Sequence, residues 1–232
     1  FFSPMFARSR LLGLVPVRSA PQSLRHFRSG PILRQAAEGV TIQTATYADI
    51  PALTAMFLRA YADNEAMQAA LRKDDMAEYA QDVYWRWALG EWGIKKGTVF
   101  TTPEREGAVI MLPPGQHQPD LLQKMEATAI VARIMGPGHL DAAHVVTEQM
   151  LTGPVNQDAY WLWGLGVDPA AGGKGVAKAL ISQVTGLADR AGKDCFVVAS
   201  SSKVVKTFER RGFVVLSKSA DFPYWFMSRK AQ

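Results

Sequence analysis

Four consecutive residues, Gly172-Gly173-Lys174-Gly175, form the stretch of this sequence whose composition is best suited to chemistry. They follow an aromatic and β-branched run, Tyr160–Val167, that is typical of a β-strand. Asp168-Pro169 ends that strand, because proline has no ladder donor and restricts the residue before it. Apolar residues then recur at helical spacing: Val176, Leu180, Val184 and Leu187. The sequence therefore predicts a strand, a glycine-rich turn and an amphipathic helix.

A unit of this kind binds anions. The first turn of a helix leaves its N–H groups unpaired, and the helix dipole adds partial positive charge there. Glycines remove the side chains that would keep a phosphate away from those N–H groups. We therefore expect a phosphate or pyrophosphate on the backbone amides from Gly173 to Ala177, with Lys174 as an additional cation.

Two common phosphate-binding motifs do not fit this turn. A P-loop needs a glycine five residues before the Gly-Lys pair and a serine or threonine after it, but these positions hold Asp168 and Gly175. A dinucleotide-binding fingerprint, G-x-G-x-x-G, begins at Gly173, but its last position is Lys178. An ordinary strand-to-helix turn, with glycines that only permit tight packing, remains an alternative.

The turn resembles the pyrophosphate loop, Q/R-x-x-G-x-G/A, of the GNAT superfamily of acetyl-CoA-dependent N-acetyltransferases. It matches at Gly175 and Ala177, whereas Gly172 stands in place of the glutamine or arginine. Residues 208–213, FERRGF, are similar to the family's Y-E-R-x-G-F, and Trp225-x-Met227-x-Arg229 looks like the W-x-M-x-R ending of the puromycin N-acetyltransferase branch. The resemblance is good over residues 160–230 and loose over residues 40–153.

This resemblance implies a single α/β domain over residues 38–232, with a central mixed, largely antiparallel sheet flanked by helices. It implies acetyl-CoA as the co-substrate and no metal. A backbone N–H near Leu165 would polarise the thioester carbonyl, and the strand at Leu165–Val167 would splay from its neighbour to bind the pantetheine arm. The expected cofactor-binding residues are Leu165, Val167, Gly172, Gly173, Lys174, Gly175, Val176, Ala177 and Phe208.

The acid–base groups of the family match less well than the cofactor-binding groups. The family commonly uses the tyrosine of Y-E-R-x-G-F to protonate the leaving thiolate, but this sequence has Phe208, which has no proton to give. Val198 and Val204 stand where the puromycin-like pattern has a glutamate and an asparagine. Glu148 and Asp158, near the start of the central strand, are the candidate bases.

Three functions are therefore compared. The first is transfer of an acetyl group from acetyl-CoA to a primary amine of a small molecule, by direct attack in a ternary complex. The second is a catalytically silent domain that binds or senses acyl-CoA, which the apolar residues at positions 198, 204 and 208 favour. The third is a nucleotide-binding module unrelated to acyl transfer.

The amino-terminal half supplies the predicted acceptor wall. A first strand over residues 40–45 is followed by helical periodicity over residues 46–64, 65–72 and 75–92. By analogy with the family, the wall would include residues from these helices, although Trp85 and Trp92, seven apart on one helical face, also fit a core position. The residues concerned are Tyr61, Asp63, Tyr79, Trp85 and Trp92.

Composition limits the partners. Residues 1–37 contain six arginines and no acidic residue, so the formal net charge of +5 becomes −1 for residues 38–232. A nearly neutral domain does not favour nucleic-acid binding, and no apolar run reaches the 18 or more residues that a membrane-spanning helix needs. The basic segment 1–37 resembles a mitochondrial presequence, so a mitochondrial location is expected, with a cytoplasmic one as the alternative.

Neither cysteine nor histidine chemistry is indicated. The single cysteine, Cys195, cannot form an intramolecular disulfide and lies in an apolar run, so we expect a small buried hydrophobe. His139 and His144 are five residues apart, which does not match the i, i+4 spacing of a helical metal pair.

Overall fold

The structure is a computed structural model that describes residues 39–152, 156–220 and 222–232. The presequence-like segment 1–37 lies outside the described residues. Within them, one seven-stranded sheet has the order β1-β2-β3-β4-β5-β7-β6. The strands are β1 (Gln43–Thr44), β2 (Thr98–Thr101), β3 (Gly107–Leu112), β4 (Tyr160–Val167), β5 (Cys195–Ala199), β6 (Val214–Lys218) and β7 (Trp225–Arg229).

The sheet is mixed and largely antiparallel. Strands β4 and β5 run parallel, and the other neighbouring pairs of the described strands are antiparallel. The seven α-helices found in the described residues are α1 (Ile50–Ala60), α2 (Glu65–Ala70), α3 (Ala77–Trp87), α4 (Leu121–Met135), α5 (Leu140–Thr152), α6 (Val176–Arg190) and α7 (Ser202–Glu209). This architecture confirms the predicted fold class.

Helices cover both faces of the sheet. On one face, α6 buries Val176, Leu180 and Val184 against Val109 and Leu162 of the central strands. These α6 residues belong to the helical stripe predicted from the sequence, so the strand, turn and helix unit is confirmed. On the other face, α1 and α3 bury a second cluster that includes Ala108 and Ile110, which alternate along β3 with Val109. None of the helices in the described part of the chain is long and apolar enough to cross a membrane.

The helix predicted to run from residue 75 to Trp92 is not a single α-helix. It changes after Trp87 into a π-helical turn, Ala88–Ile94, in which Lys95 N–H donates to Gly90 C=O at 3.0 Å. A Cβ on Gly93 would lie 2.5 Å from the Val99 side chain, so the glycine permits close contact with β2. The wider turn changes the register, and Trp85 and Trp92 pack into different clusters instead of sharing one face.

The carboxyl-terminal strand is tied to α6 by an ion pair. The Arg229 guanidinium donates to both carboxylate oxygens of Asp189, at 2.7 and 3.0 Å, and its side chain is 6% exposed. Arg229 is the last residue of the W-x-M-x-R pattern. In this fold it therefore serves packing, since it joins β7 to the far end of the helix that follows the glycine-rich turn.

Close packing of α1 on β4 requires a glycine at position 166. A Cβ there would lie 2.7 Å from two ring carbons of Phe57, which is closer than real Cβ atoms come. Gly164, two residues earlier on the same strand, has room, because its nearest atom beyond its neighbours is Ile110 Cδ1 at 3.5 Å.

These two glycines give a matched test of that packing. Gly166→Ala should lower the free energy of unfolding by about 1–3 kcal/mol, the usual cost of overpacking a core. Gly164→Ala should be neutral or slightly stabilising, since alanine reduces the entropy of the unfolded chain. Urea denaturation of both variants measures the difference, and equal effects would contradict the packing described here.

His117 is a buried histidine beneath the central strand. It is 1% exposed, its ring meets that of Trp161 edge-on at 5.7 Å, and neither ring nitrogen has a hydrogen-bond partner among the described residues. Burial lowers the pKa of His117 below its usual 6.5. The folded protein therefore holds this ring neutral where the unfolded chain would begin to protonate it.

The consequence for stability has a definite sign. Because the folded-state pKa is depressed, the unfolded chain binds the proton more readily, and stability should fall as pH drops below about 6.5. In His117→Phe, this component of the pH dependence should disappear, whereas His139→Gln, at an exposed histidine, should leave it unchanged. Urea denaturation at several pH values from 7.5 to about 5 measures it, and identical profiles for wild type and His117→Phe would contradict the expectation.

Candidate active site

The central feature of the site is an opening between β4 and β5. These strands pair only from Tyr160 to Leu162 with Cys195 to Val197. The pairing of β3 with β4 shifts register at the same level, so that Trp163 is an extra residue between the pairs of Leu162 and Gly164. From that irregularity onward β4 follows β3 and leaves β5, as the resemblance implied for Leu165–Val167.

Backbone alternation places the polar groups of Leu165 at this opening. Asp168 N–H donates to Glu106 C=O, on the β3 side, at 2.7 Å. Alternation then turns Gly166 to β3 and turns Leu165 and Val167 to the opening. The Tyr61 hydroxyl donates to Leu165 C=O at 3.1 Å, which agrees with this direction. Since the N–H and C=O of a strand residue point to the same edge, Leu165 N–H faces the opening too.

At the end of β4, the glycine-rich turn leads directly into α6. Gly173 and Gly175 have φ of +83° and +80°, the left-handed region that favours glycine. Gly175 is the N-cap of α6, and no side chain caps the helix. The first N–H groups of α6 therefore have no side-chain acceptor. The predicted anion-binding residues 172–177, including Gly172, Val176 and Ala177, are therefore one continuous segment at the mouth of the opening.

Two ion pairs flank this cradle. Lys174 Nζ pairs with Glu106 Oε1 at 2.7 Å, and this hydrogen bond raises the pKa of Lys174. The Arg59 guanidinium donates to Asp168 Oδ2 at 2.9 and 2.5 Å, which lowers the pKa of Asp168. Lys174 is thus a cation beside the turn, as expected, but it already shares its charge with a carboxylate from the β2–β3 turn.

A cavity of about 90 Å³ lies at the opening, on the face covered by α1 to α5. Its fifteen lining residues, all among the described ones, include no aspartate, glutamate, lysine, arginine or histidine. Aliphatic side chains of α2, α4 and α5 close one side, and Val198 and Ser200 come from β5 and the residue after it. The aromatic lining residues are Tyr61, Tyr84, Trp85, Trp161, Trp163 and Tyr224.

The three tyrosines of this cavity are held in their neutral form. Burial raises the pKa of Tyr61 to about 12, and the Ser200 hydroxyl acts against that rise. Burial also raises the pKa of Tyr224 to about 12 and raises that of Tyr84. Each hydroxyl therefore keeps its proton at neutral pH.

A small polar network adjoins Tyr61. The Asn64 side chain caps α2 by accepting from Met67 N–H at 3.0 Å, and its amide nitrogen donates to Ser200 Oγ at 2.9 Å. The backbone is joined as well, because Ala66 N–H donates to Ser200 C=O at 3.2 Å. The connection between α1 and α2 is thereby fixed to the end of β5, across the opening from Leu165.

The structure does not bring the remaining predicted residues to the opening. Phe208 is 1% exposed and packs edge-on against Phe213 at 5.0 Å, so it lies in the core and presents no face to a ligand. Asp158 precedes β4, pairs with Lys193 and lies seven residues, roughly 23 Å of strand, from Leu165. Glu148 on α5 pairs with Lys124 of α4 at 3.2 Å and does not line the cavity.

Of the predicted acceptor wall, Tyr61 and Trp85 line the cavity, whereas Tyr79 is 52% exposed and Trp92 is in the core. Asp63 is exposed as well. Sequence reasoning missed Tyr84, Ser200 and Tyr224. Ser200 had a usable signal, because it follows directly the carboxyl end of a strand next to the central one, where α/β proteins bind ligands.

Other chemistries have little support in this region. Cys195 is fully buried and burial raises its pKa to about 12, so it is the inert hydrophobe that the sequence predicted. No cluster of three or more potential metal ligands was found in the part of the chain that the structure describes.

Tyr84 offers a test of the cavity's interior. Its hydroxyl makes no hydrogen bond to the described residues, and the residue is 9% exposed. Tyr84→Phe should therefore leave the free energy of unfolding unchanged or raise it by up to about 1 kcal/mol, since an unpaired buried hydroxyl contributes nothing favourable. Chemical denaturation measures this, and a clear loss of stability would contradict the unpaired hydroxyl.

Comparisons with known proteins agree with this geometry. Residues 152–222 match a family model described as an acetyltransferase (GNAT) domain. That match covers about a third of the chain, including β4, the cradle, β5 and α7.

Solved structures extend the likeness over most of the chain. Histone acetyltransferase HPA2 and related acetyltransferase from Corynebacterium glutamicum is 18% identical, with a TM-score of 0.58 over 83% of this chain and 97% of that one. Arylalkylamine N-acetyltransferase 2 from Aedes aegypti is 14% identical, with a TM-score of 0.53 over 83% and 99%. An agmatine N-acetyltransferase is 15% identical, with a TM-score of 0.51 over 82% and 97%. At these identities the likeness is one of fold, and the fold is that of GNAT acetyltransferases.

Proposed function

We propose that the protein is a GNAT N-acetyltransferase that transfers the acetyl group of acetyl-CoA to a primary amine of a small molecule, by direct attack in a ternary complex. One observation carries the proposal. The backbone N–H of Leu165 faces an opening in the sheet that has an anion cradle at one end and an uncharged aromatic cavity on one side. Acyl transfer from a phosphate-bearing thioester needs those three features together.

The described residues fit acetyl-CoA along this line. The pyrophosphate would lie on the amides of residues 172–177, where no side chain caps the helix. The pantetheine amides would pair with the outward backbone groups of Val167, much as an added strand pairs with an edge. The thioester would then reach Leu165, at the mouth of the cavity.

The chemistry then follows from the position of Leu165. Attack on the thioester carbonyl places negative charge on its oxygen, and a fixed N–H donor stabilises that charge in the transition state. Removal of one such donor typically costs about 10²–10³-fold in kcat. This donor belongs to the backbone, so its position depends on the direction of β4 and not on the leucine side chain.

The cavity supports a small, uncharged form of the acceptor. Burial in an apolar site favours the neutral amine over the ammonium ion, and only the neutral amine is a nucleophile. No carboxylate lines the cavity to hold a second positive charge, which disfavours polyamines. One solved structure of similar fold is named as an arylalkylamine N-acetyltransferase, and an arylalkylamine is a small amine without a second charge. Nucleic acid and membrane are not part of this proposal.

Two finer assignments rest on sequence alone. The W-x-M-x-R ending, Trp225 to Arg229, is the reason to place the protein nearest to the puromycin N-acetyltransferase branch. The arginine-rich, acid-free segment 1–37 is the reason to propose a mitochondrial location, with the cytoplasm as the alternative.

A second function deserves a direct comparison, because Phe208 is buried and Val198 is apolar. A domain that binds acyl-CoA and does not transfer the acyl group would keep the cradle and lose the acid–base groups. Other hydroxyl groups, those of Tyr61 and Ser200, lie at the opening. They favour acetyl transfer over binding alone.

The cradle is tested with Gly175→Glu. A carboxylate at the N-cap of α6 opposes a pyrophosphate, so the dissociation constant of coenzyme A should rise at least about tenfold, which corresponds to 1.4 kcal/mol. Gly192→Glu is the matched control: it also replaces a glycine of positive φ, +62°, but lies beyond the opposite end of α6, in open space. Isothermal titration with coenzyme A measures both. Equal affinities in the two variants would remove the cradle from the proposal.

A turnover assay distinguishes the proposed acetyltransferase from a domain that only binds acyl-CoA. Wild type, acetyl-CoA and a panel of primary amines (2-phenylethylamine, tryptamine, agmatine and spermidine) should release free thiol with at least one monoamine, faster than without enzyme. Binding of acetyl-CoA without thiol release from any amine would favour the acyl-CoA-binding alternative.

A further inference from the structure

The sequence lacks the family's tyrosine acid at position 208, and the core position of Phe208 leaves that role open. We propose that Tyr61, at the end of α1, protonates the departing coenzyme A thiolate. The proposal rests on the proposed function, since it concerns the same reaction at the same opening. It assigns the acid to a different element of the fold, the α1–α2 connection, on the opposite side of Leu165 from α7.

The position of the Tyr61 hydroxyl favours this role. The Tyr61 hydroxyl donates to Leu165 C=O at 3.1 Å. The C=O and N–H of Leu165 leave the strand on the same edge, so the hydroxyl lies beside the N–H that would hold the thioester oxygen. The sulfur of a thioester is bonded to that same carbonyl carbon. A hydroxyl proton rotates freely, so it can turn from the Leu165 carbonyl to the sulfur without movement of the ring.

The ring itself is held in place. Tyr61 is the C-cap residue of α1, and its backbone N–H donates to Phe57 C=O at 3.0 Å. Its ring contacts Trp85 at 4.6 Å and Phe57 at 6.0 Å between centroids. A proton donor must be aligned with the bond that breaks, and these contacts fix the phenol before substrate binds.

Two polar side chains, those of Asn64 and Ser200, adjoin the Tyr61 phenol at the cavity. The side-chain oxygen of Asn64 is occupied as the cap of α2, so its NH₂ group donates to Ser200 Oγ. Ser200 Oγ accepts from Asn64, and the Ser200 hydroxyl lowers the pKa of the Tyr61 phenol, against the effect of burial. Tyr61 in turn donates towards Leu165. Asn64 and Ser200 therefore form the polar surroundings of the phenol at the opening.

The step balances in atoms and charge. The amine nitrogen attacks the carbonyl carbon, the C–S bond breaks, and its electron pair remains on sulfur. The Tyr61 O–H proton passes to sulfur and gives the free thiol and a phenolate. The phenolate is reprotonated by the proton that the new amide nitrogen must lose. Amine and thioester become amide and thiol, with no oxidant or reductant.

The alternatives near the site are less suited. Tyr84 has no hydrogen bond to the described residues that would align it, and Asp158 and Glu148 are paired with lysines away from the cavity. Tyr61 combines two properties among the described residues: it lines the cavity, and its hydroxyl contacts the backbone at Leu165.

The first test is kinetic. With the amine that reacts best in the panel, Tyr61→Phe should lower kcat by about 10²-fold, the low end of the contribution of acid–base catalysis. The KM for acetyl-CoA and the dissociation constant of coenzyme A should change less than about threefold, because the phenyl ring keeps its contacts. Tyr79→Phe, which alters an exposed tyrosine outside the cavity, is the matched control and should keep the wild-type kcat.

The second test needs no acceptor. Coenzyme A bound to wild type and to Tyr61→Phe is titrated with base while the ultraviolet absorbance of its thiolate is followed. A hydroxyl that donates to sulfur stabilises the thiolate, so the thiol pKa should be lower in wild type than in Tyr61→Phe by about one unit. A merely structural role for Tyr61 would leave this pKa unchanged.

The outcomes separate the two proposals. If wild type releases thiol but Tyr61→Phe keeps its kcat, or if the bound thiol pKa is the same in both proteins, the assignment of Tyr61 is overturned while the proposed function stands. If the thiol pKa differs but no amine reacts, the contact of Tyr61 with sulfur is supported and the proposed transfer fails. If coenzyme A does not bind wild type at all, both are overturned.

Discussion

The parting of β4 from β5 is the constraint on which the rest of the site depends. If the two strands stayed paired beyond Leu162, the backbone N–H of Leu165 would be used in the ladder and no groove would exist. The extra residue at Trp163 prevents that, since a bulge bends its strand and changes its twist. The cradle at the start of α6 and the aromatic cavity both open onto the gap that results.

The opening leaves backbone groups of β4 without strand partners, and uncharged side chains of the surrounding elements supply hydrogen bonds there. The Tyr61 hydroxyl meets Leu165 C=O, and Asn64 and Ser200 join the α1–α2 connection to the end of β5. Around the cradle, Lys174 and Arg59 already have carboxylate partners. The described lining of the cavity therefore offers oriented dipoles and no charged side chain, and in a low-dielectric site such dipoles are worth far more than in bulk water.

The elements of the site that lie close together in the sequence could be predicted from it. A proline-terminated strand, a glycine turn and a stripe of Val176, Leu180 and Val184 lie within thirty residues of one another, and the structure contains all three. The residues that meet across the gap could not be predicted in the same way. Tyr61 and Leu165 are 104 positions apart, and only the folded sheet brings them to 3.1 Å. Tertiary context also decides the position of Phe208, whose side chain turns into the core. Trp92 is buried, as its expected core position implies, but a π-helical turn removes it from the helical face that it would share with Trp85.

The most direct test of the account is a thermal-shift titration of the full chain with acetyl-CoA, coenzyme A, ATP and NAD. A ligand at 100 times its dissociation constant should add about 2.7 kcal/mol to the stability of the folded state, which corresponds to a rise in Tm of about 5–11 °C for a protein of this size. The account predicts that acetyl-CoA and coenzyme A raise the Tm while ATP and NAD do not. A rise with ATP or NAD and none with either coenzyme A compound would contradict it, and the glycine turn would then belong to a different nucleotide-binding module.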